Sequence, residues 1–252
     1  MQRIYIAVLA LVAASFGLMA PASAQQDADR GVPVEFYACH WQDGKDMGDL
    51  DRVIKKFNKW ADQRDSGYGA WLLTPQFHDD VDFDIGWLGS WPDANDFGRL
   101  QDAWVNEGTE ISAAFDEVVD CSGRHQMATS AVVNAPDGPP QNGVVMFSEC
   151  AMNDGVNPVD ALATHRKMGQ TMRDMGSKAM AWLFYPALGV SNENLDYWSV
   201  VAFNSYTDMG AAMEMWTNGG GWEKAAVLMA GVSTCTSTTV YDARLVRAGE
   251  QR

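Results

Sequence analysis

The sequence predicts an α+β chain made of two tandem copies of a βαββαβ unit, and three observations predict it. The second half overlays the first at a fixed offset. Strand-like and helix-like stretches follow one another in the same order in both halves. Four cysteines fall at matching places, one pair per copy.

The overlay brings Cys39 over Cys150, Asp43-Gly44 over Asp154-Gly155, Ala70-Trp71-Leu72 over Ala181-Trp182-Leu183 and Pro75 over Pro186 without a gap. After one inserted loop residue, Asp84 falls on Asp196, Trp91 on Phe203, Gly98 on Gly210 and Trp104 on Trp216. Self-similarity at this long period marks duplicated domains rather than a solenoid. The copies are read as 34–133 and 143–246, joined by a Pro- and Gly-rich linker over 134–142.

In the first copy, Val34 to His40 reads as a strand, and Leu50, Val53, Ile54, Phe57, Trp60 and Ala61 make an apolar stripe at helical spacing. Tyr68 to Thr74 and Phe83 to Trp91 read as two strands around a polar loop. Asp93 opens a second helix that Asn106 and Gly108 break before a further helical stretch, Ile111 to Val119, and Gln126 to Val133 reads as the last strand. Such a split βαβ, or ferredoxin-like, unit places both helices on one face of an antiparallel sheet, with the last strand beside the first. The end of strand one then meets the start of strand four, where Cys39 and Cys121 fall. The expected disulfides are Cys39–Cys121 and Cys150–Cys235, each closing a loop of roughly eighty residues.

Helices cover only one face of each sheet. Val144 to Phe147 and Trp198 to Phe203 are nearly continuous apolar runs, which argues burial on both faces. The two units are therefore expected to pack sheet to sheet. On these features, the repeat order and the two broken second helices, residues Val34 to Val246 resemble the dimeric α/β-barrel superfamily, which holds antibiotic-biosynthesis-type monooxygenases and haem-binding relatives such as chlorite dismutases. The resemblance implies an intrachain barrel, a fused pair in place of the usual dimer, so that one monomer acts as a pseudo-dimer. It implies nothing about substrate.

The first 24 residues read as a secretory signal: Arg3, an apolar run from Ile4 to Leu18, and Pro21-Ala22-Ser23-Ala24 before Gln25. No later stretch is apolar enough to be a membrane helix. The expectation is a periplasmic or secreted, soluble protein, in keeping with an even cysteine count. The formal net charge is −15, and −16 once Arg3 is lost, which repels nucleic acid and anionic lipid.

Candidate chemistry is sought where the copies differ. His40 lies over Ala151 and His165 over Ile54, and His78 and His125 have no histidine opposite. His40, His125 and His165 are the candidate catalytic histidines, and His165, on the stripe of Ala161, Met168 and Met172, is the residue that would ligate haem iron. Strand parity puts Trp87 and Trp198 on opposite faces, since Trp198 lies over Gly86 and Ser199 over Trp87. Trp87, Trp198, Met168 and Met172 are the candidate ligand-binding residues of a single asymmetric pocket. His78, Asp79, Asp80, Asp82 and Asp84 are oxygen-rich but lack calcium-loop spacing, and they read as a solvated hairpin; no metal site is expected. There is no phosphate loop, zinc-spaced cluster or nucleophile elbow. The leading reading is an exported protein that binds a small apolar or aromatic molecule without a cofactor. The alternatives are a cofactor-independent monooxygenase-like enzyme and a haem-binding relative, and whether the chain is an enzyme stays open.

Overall fold

The structure is a computed structural model that describes residues 30–236 and 238–249; the expected signal, 1–24, lies outside the described residues. The first copy runs β1 (Val32–Trp41), α1 (Met47–Asp62), β2 (Gly69–Phe77), β3 (Ile85–Ser90), α2 (Ala94–Glu107), α3 (Thr109–Asp116) and β4 (Val119–Asn134). The second runs β5 (Gly143–Met152), α4 (Pro158–Asp174), β6 (Met180–Leu188), β7 (Tyr197–Phe203), α5 (Tyr206–Asn218), α6 (Gly221–Leu228), β8 (Ser233–Cys235) and β9 (Thr239–Arg247). Among the described residues no helix is long and apolar enough to cross a membrane.

Side-chain chemistry sets the helix ends. Asp46 caps α1 in a capping box with Asp49, Asp93 caps α2, Asn157 caps α4 with Pro158 in its first turn, and Ser205 caps α5. The second helix of each copy breaks at glycine. A Cβ on Gly108 would sit 2.5 Å from the Trp104 carbonyl oxygen, and Gly220 holds φ +84° between α5 and α6.

Each copy makes a four-stranded sheet, β4-β1-β3-β2 and β9-β5-β7-β6, and the two join edge to edge through β2–β9 and β4–β6. Sheet-to-sheet packing thus takes the form of a closed eight-strand antiparallel barrel, with β8 and β9 following one another along β5 in the place that β4 takes along β1. Closure leaves none of the eight strands with an unpaired edge. Both disulfides form, Cys39–Cys121 and Cys150–Cys235, with Cα atoms 4.1 and 4.0 Å apart.

Alternation along the strands divides the core. Val34, Phe36 and Ala38 of β1 point into the barrel lumen with Leu73, Phe184 and Val200, while Glu35, Tyr37 and Cys39 point outward beneath the helices. Leu73 and Val200 are essentially inaccessible, and each such side chain contributes about 1.5–3 kcal/mol on burial. The continuous apolar runs are explained the same way: Val145 and Phe147 face the lumen, Val144 and Met146 the helices.

Two sequence expectations shift. The last strand of the first copy begins at Val119 rather than Gln126, because Val119 and Asp120 pair with Trp41 and His40 beside the disulfide. Phe83, which alternation along a strand from Phe83 to Trp91 would put on the Trp87 face, packs in the lumen instead, since β3 starts only at Ile85.

Candidate functional site

The first copy forms a cavity of about 240 Å³, open to one side, between its sheet and helices α1, α2 and α3. Its walls are aromatic. Phe57 of α1 is the hub, with ring centroids 5.6 Å from Trp87, 5.9 Å from Tyr68 and 6.0 Å from Trp104. Ligand pockets for drug-sized molecules run to about 300–1,000 Å³, so this volume suits something smaller.

A carboxylate sits in this apolar wall. Glu35 is 7 % exposed, and it is held there by Tyr68, whose hydroxyl donates to Oε1 at 2.5 Å. The Trp87 indole N–H donates in turn to the Tyr68 hydroxyl at 2.6 Å. On the other side, His125 Nε2 lies 3.1 Å from Glu35 Oε2, and its ring stacks on Tyr37 with centroids 3.7 Å apart. Burial, and then the charge and hydrogen bond of Glu35, raise the Tyr68 phenol well above its ordinary value; the same causes raise Tyr37. Both phenols stay protonated, as donors. The His125 side chain is 41 % exposed, so the network runs from cavity wall to solvent.

The second copy lacks this network. The strand registers place Met146 where the first copy has Glu35, Ser148 for Tyr37, Ser199 for Trp87 and Thr238 for His125, while the gap-free overlay puts Ala179 over Tyr68. Ser148 and Thr238 make a small hydroxyl pair, 2.7 Å apart, where Tyr37 and His125 stack. Space is exchanged as well. A Cβ on Gly89 would lie 1.9 Å from the Tyr68 hydroxyl, and Val201 occupies the place of Gly89 in the copy that has alanine for tyrosine.

The residues singled out by sequence are dispersed. Trp87 lines the cavity, Trp198 packs at the lumen, and Met168 and Met172 belong to α4 of the second copy. His40 lies 3.6 Å from Asp84, away from the partners of His125. The His165 Nε2 pairs with the Tyr197 hydroxyl at 2.9 Å, which itself donates to Ser233 Oγ at 2.7 Å, and burial lowers His165 to about 4. It is a neutral, hydrogen-bonded, partly buried histidine. Asp84 accepts from the Trp41 N–H at 3.0 Å, and no group of three or more His, Cys, Asp or Glu among the described residues is placed to hold a metal. Sequence reasoning missed Glu35, Tyr37 and Tyr68. The overlay already held the signal, a charged residue and two aromatics set against Met146, Ser148 and Ala179.

A second cavity, about 620 Å³, opens at the end of the barrel lumen beneath the linker, where the Trp71 indole N–H donates to the Gln141 carbonyl at 3.1 Å. Its walls include Leu88, Trp182, Phe184 and Val200, and its one charged lining residue is Asp137. It has no counterpart of the Glu35 network.

Comparison with solved structures decides the architecture. The chain has the dimeric α/β-barrel fold. It is similar to a proposed monooxygenase from Fusobacterium nucleatum, at TM-score 0.55 and 9% identity, covering 88% of this chain and 94% of that one. It is similar also to an anthrone oxidase-like protein, at TM-score 0.53, 12% identity and coverage of 90% and 97%. A chlorite dismutase variant from Candidatus Nitrospira defluvii follows at TM-score 0.52, 10% identity and coverage of 88% and 95%. No family model and no curated protein sequence matches the chain.

Such neighbours raise haem, and the residues of the helix-side cavity do not fit it. Side chains that bind haem iron are histidine, cysteine thiolate, methionine and tyrosine. The cavity offers only Tyr37 and Tyr68, both held protonated, and Cys39 and Cys121, joined in a disulfide. His165 lines neither cavity, and its Nε2 is engaged by Tyr197.

Proposed function

We propose that this is an exported protein that binds one small, mainly apolar or aromatic molecule per chain, in the helix-side cavity of its first copy. The observation that carries the reading is the buried Glu35–Tyr68–Trp87 network at the cavity wall, together with its replacement in the second copy by Met146, Ala179 and Ser199. A buried carboxylate is costly to desolvate, and the second copy builds the same fold without one. The fold itself does not require the network, and we assign it to ligand binding. Signal-like residues 1–24 and two disulfides support export.

Native mass spectrometry and tryptophan fluorescence on protein from the periplasm of its host test this. One equivalent of ligand is expected, and Glu35→Gln and Tyr68→Phe, which keep the shape, are expected to weaken it about tenfold or more. Two equivalents per chain, or unchanged affinity in both variants, would overturn the assignment.

A second reading is catalytic, and the geometry of Glu35 favours it. A carboxylate on the cavity wall with a titratable neighbour leading to solvent suits a general base that takes a proton from a bound hydroxyl and releases it through His125. Two of the similar folds carry monooxygenase or oxidase descriptions, and a cofactor-independent oxygenation of an electron-rich aromatic is the matching reaction. Oxygen uptake with a panel of quinols, lost in Glu35→Gln, is the expected sign; no uptake across the panel removes this reading.

A further inference from the structure

The barrel lumen holds the larger cavity, and the two ends of the lumen differ. One end is plugged by rings: Phe83, from the loop before β3, has its centroid 5.5 Å from Phe36 and 6.1 Å from Tyr241, and Phe147 lies 5.8 Å from Tyr241 and 6.0 Å from Phe184. The other end is crossed by the linker between β4 and β5, whose Pro136, Pro139 and Pro140 line the cavity. The linker is tied down on several sides. The Gln141 carbonyl accepts from Trp71 of β2, Asn142 Oδ1 accepts from the Leu245 N–H of β9 at 2.8 Å, and Arg173 of α4 donates to the Ala135 carbonyl and pairs with Asp137. Between the aromatic floor and the linker lies the cavity of about 620 Å³, well within the range of ligand pockets.

Protein interiors keep few voids larger than a water molecule. Here the inward-facing Trp71, Leu88, Trp182 and Ala202 are only partly buried, although they belong to the lumen cluster. Water fills such a space poorly, since a buried water needs two to four polar partners, and Ser130 is the one polar side chain deep in the lining. The other polar lining side chains stand at the mouth: Ser90 ends β3, Asn204 follows β7, and Asp137, Gln141 and Asn142 belong to the linker. Polarity thus falls from mouth to floor, over about 13 Å along Gly69 to Leu73 of β2 and Met180 to Phe184 of β6. Mid-lumen walls are aliphatic, with Val34, Leu73, Val145 and Val200. No lysine, arginine or histidine lines the cavity, and Asp137 is already paired with Arg173, so a charged ligand of either sign finds no free counter-ion.

We propose that the lumen is a second binding site, for an uncharged aliphatic molecule with one hydrogen-bonding head group, its chain directed at the aromatic floor and its head at the linker. The occupant differs from the ligand assigned to the helix-side cavity, which lies on the opposite face of the first sheet. Each site therefore stands or fails without the other, and the single equivalent of helix-side ligand is unaffected.

Three compounds of one chain length test this on the full mature protein: 1-octanol, octanoate, which carries a charge, and 1,8-octanediol, which forces a second hydroxyl against the floor. Calorimetric titration is expected to show one equivalent of octanol, bound at least about tenfold more tightly than either other compound. In ¹H–¹⁵N spectra the indole resonances of Trp71 and Trp182, assigned through Trp71→Phe and Trp182→Phe, should move with octanol while those of Trp87 and Trp104 stay in place. Ala202→Phe, which fills the lumen, should weaken octanol about tenfold or more; the spectra of the wild-type chain locate the site whether or not that variant folds. Octanol that fails to saturate at one equivalent, or that moves Trp87 and Trp104 in place of Trp71 and Trp182, would overturn the lumen site. Equal affinity for octanoate or the diol would overturn the ligand class and its orientation.

Discussion

The two copies build one fold with the same hydrogen bonds at its ends and different chemistry at its centre. Asp84 accepts from the Trp41 N–H at 3.0 Å and Asp196 from the Met152 N–H at 2.6 Å; the N–H groups of these aspartates donate to the carbonyls of Cys39 and Cys150, both at 3.0 Å. Those matched residues hold strand ends and disulfides in register. The unmatched ones fill the space under the helices in two ways. The first copy places a charge, two phenols and an indole around a cavity, whereas the second uses methionine, alanine and serine there and moves its polar network to His165, Tyr197 and Ser233, where the first copy has Ile54 and Ile85 in place of His165 and Tyr197. The difference separates what a ferredoxin-like unit requires from what one copy has added.

The comparison breaks first at the disulfides if they are not equivalent. Each spans a comparable loop, with sequence separations of 82 and 85, so Cys39→Ser/Cys121→Ser and Cys150→Ser/Cys235→Ser should each cost about 4 kcal/mol in denaturant unfolding. A large inequality would mean that one copy is stabilised independently of the other.

Acid should sharpen the contrast next. Burial lowers His165 to about 4, against about 6.5 in the unfolded chain, so the folded state binds this proton less readily. Its contribution is complete above about pH 6.5 and falls by about 1.4 kcal/mol per pH unit on acidification, until about 3 kcal/mol is lost near pH 4. His165→Ile, the residue of the first copy, should flatten the stability profile over that window. An unchanged slope would place the acid sensitivity elsewhere.

The smallest effect probes the exchange of space. Gly89→Ala must displace the buried Tyr68 ring and should cost about 2 kcal/mol along with ligand affinity. Val201→Ala, its counterpart, should cost about 1 kcal/mol of stability by leaving a void and should leave affinity unchanged. Loss of binding in both variants would show that the cavity senses the whole barrel rather than its own wall.

Much of the fold was legible because it rests on periodic and repeated signals. The stripe from Leu50 to Ala61 predicted α1, and all six of its residues are buried. Asn106 and Gly108 predicted a broken helix, and the break falls between Glu107 and Thr109. The cysteines paired as the repeat required. The site was less legible. Histidines drew attention because their chemistry is versatile, yet His165 is partly buried and engaged by Tyr197, His40 faces solvent and Asp84, and only His125 joins the network. Glu35 passed unnoticed because a single acidic residue in a strand reads as a solvent-facing position. Only the helices packed over it make that position an interior one.

The sequence by itself determined the duplication, the order of elements, the disulfide pairing and the opposite faces of Trp87 and Trp198, because each follows from spacing along the chain. The tertiary structure alone decided that the two sheets join along their edges into a closed barrel, and that residues as distant as Glu35, Tyr68, Trp87 and His125 meet at one wall. It also decided that a cavity stays open in the lumen beneath the linker. Hydrogen bonds between side chains far apart in sequence depend on how helices settle on a sheet, and no local period encodes that distance.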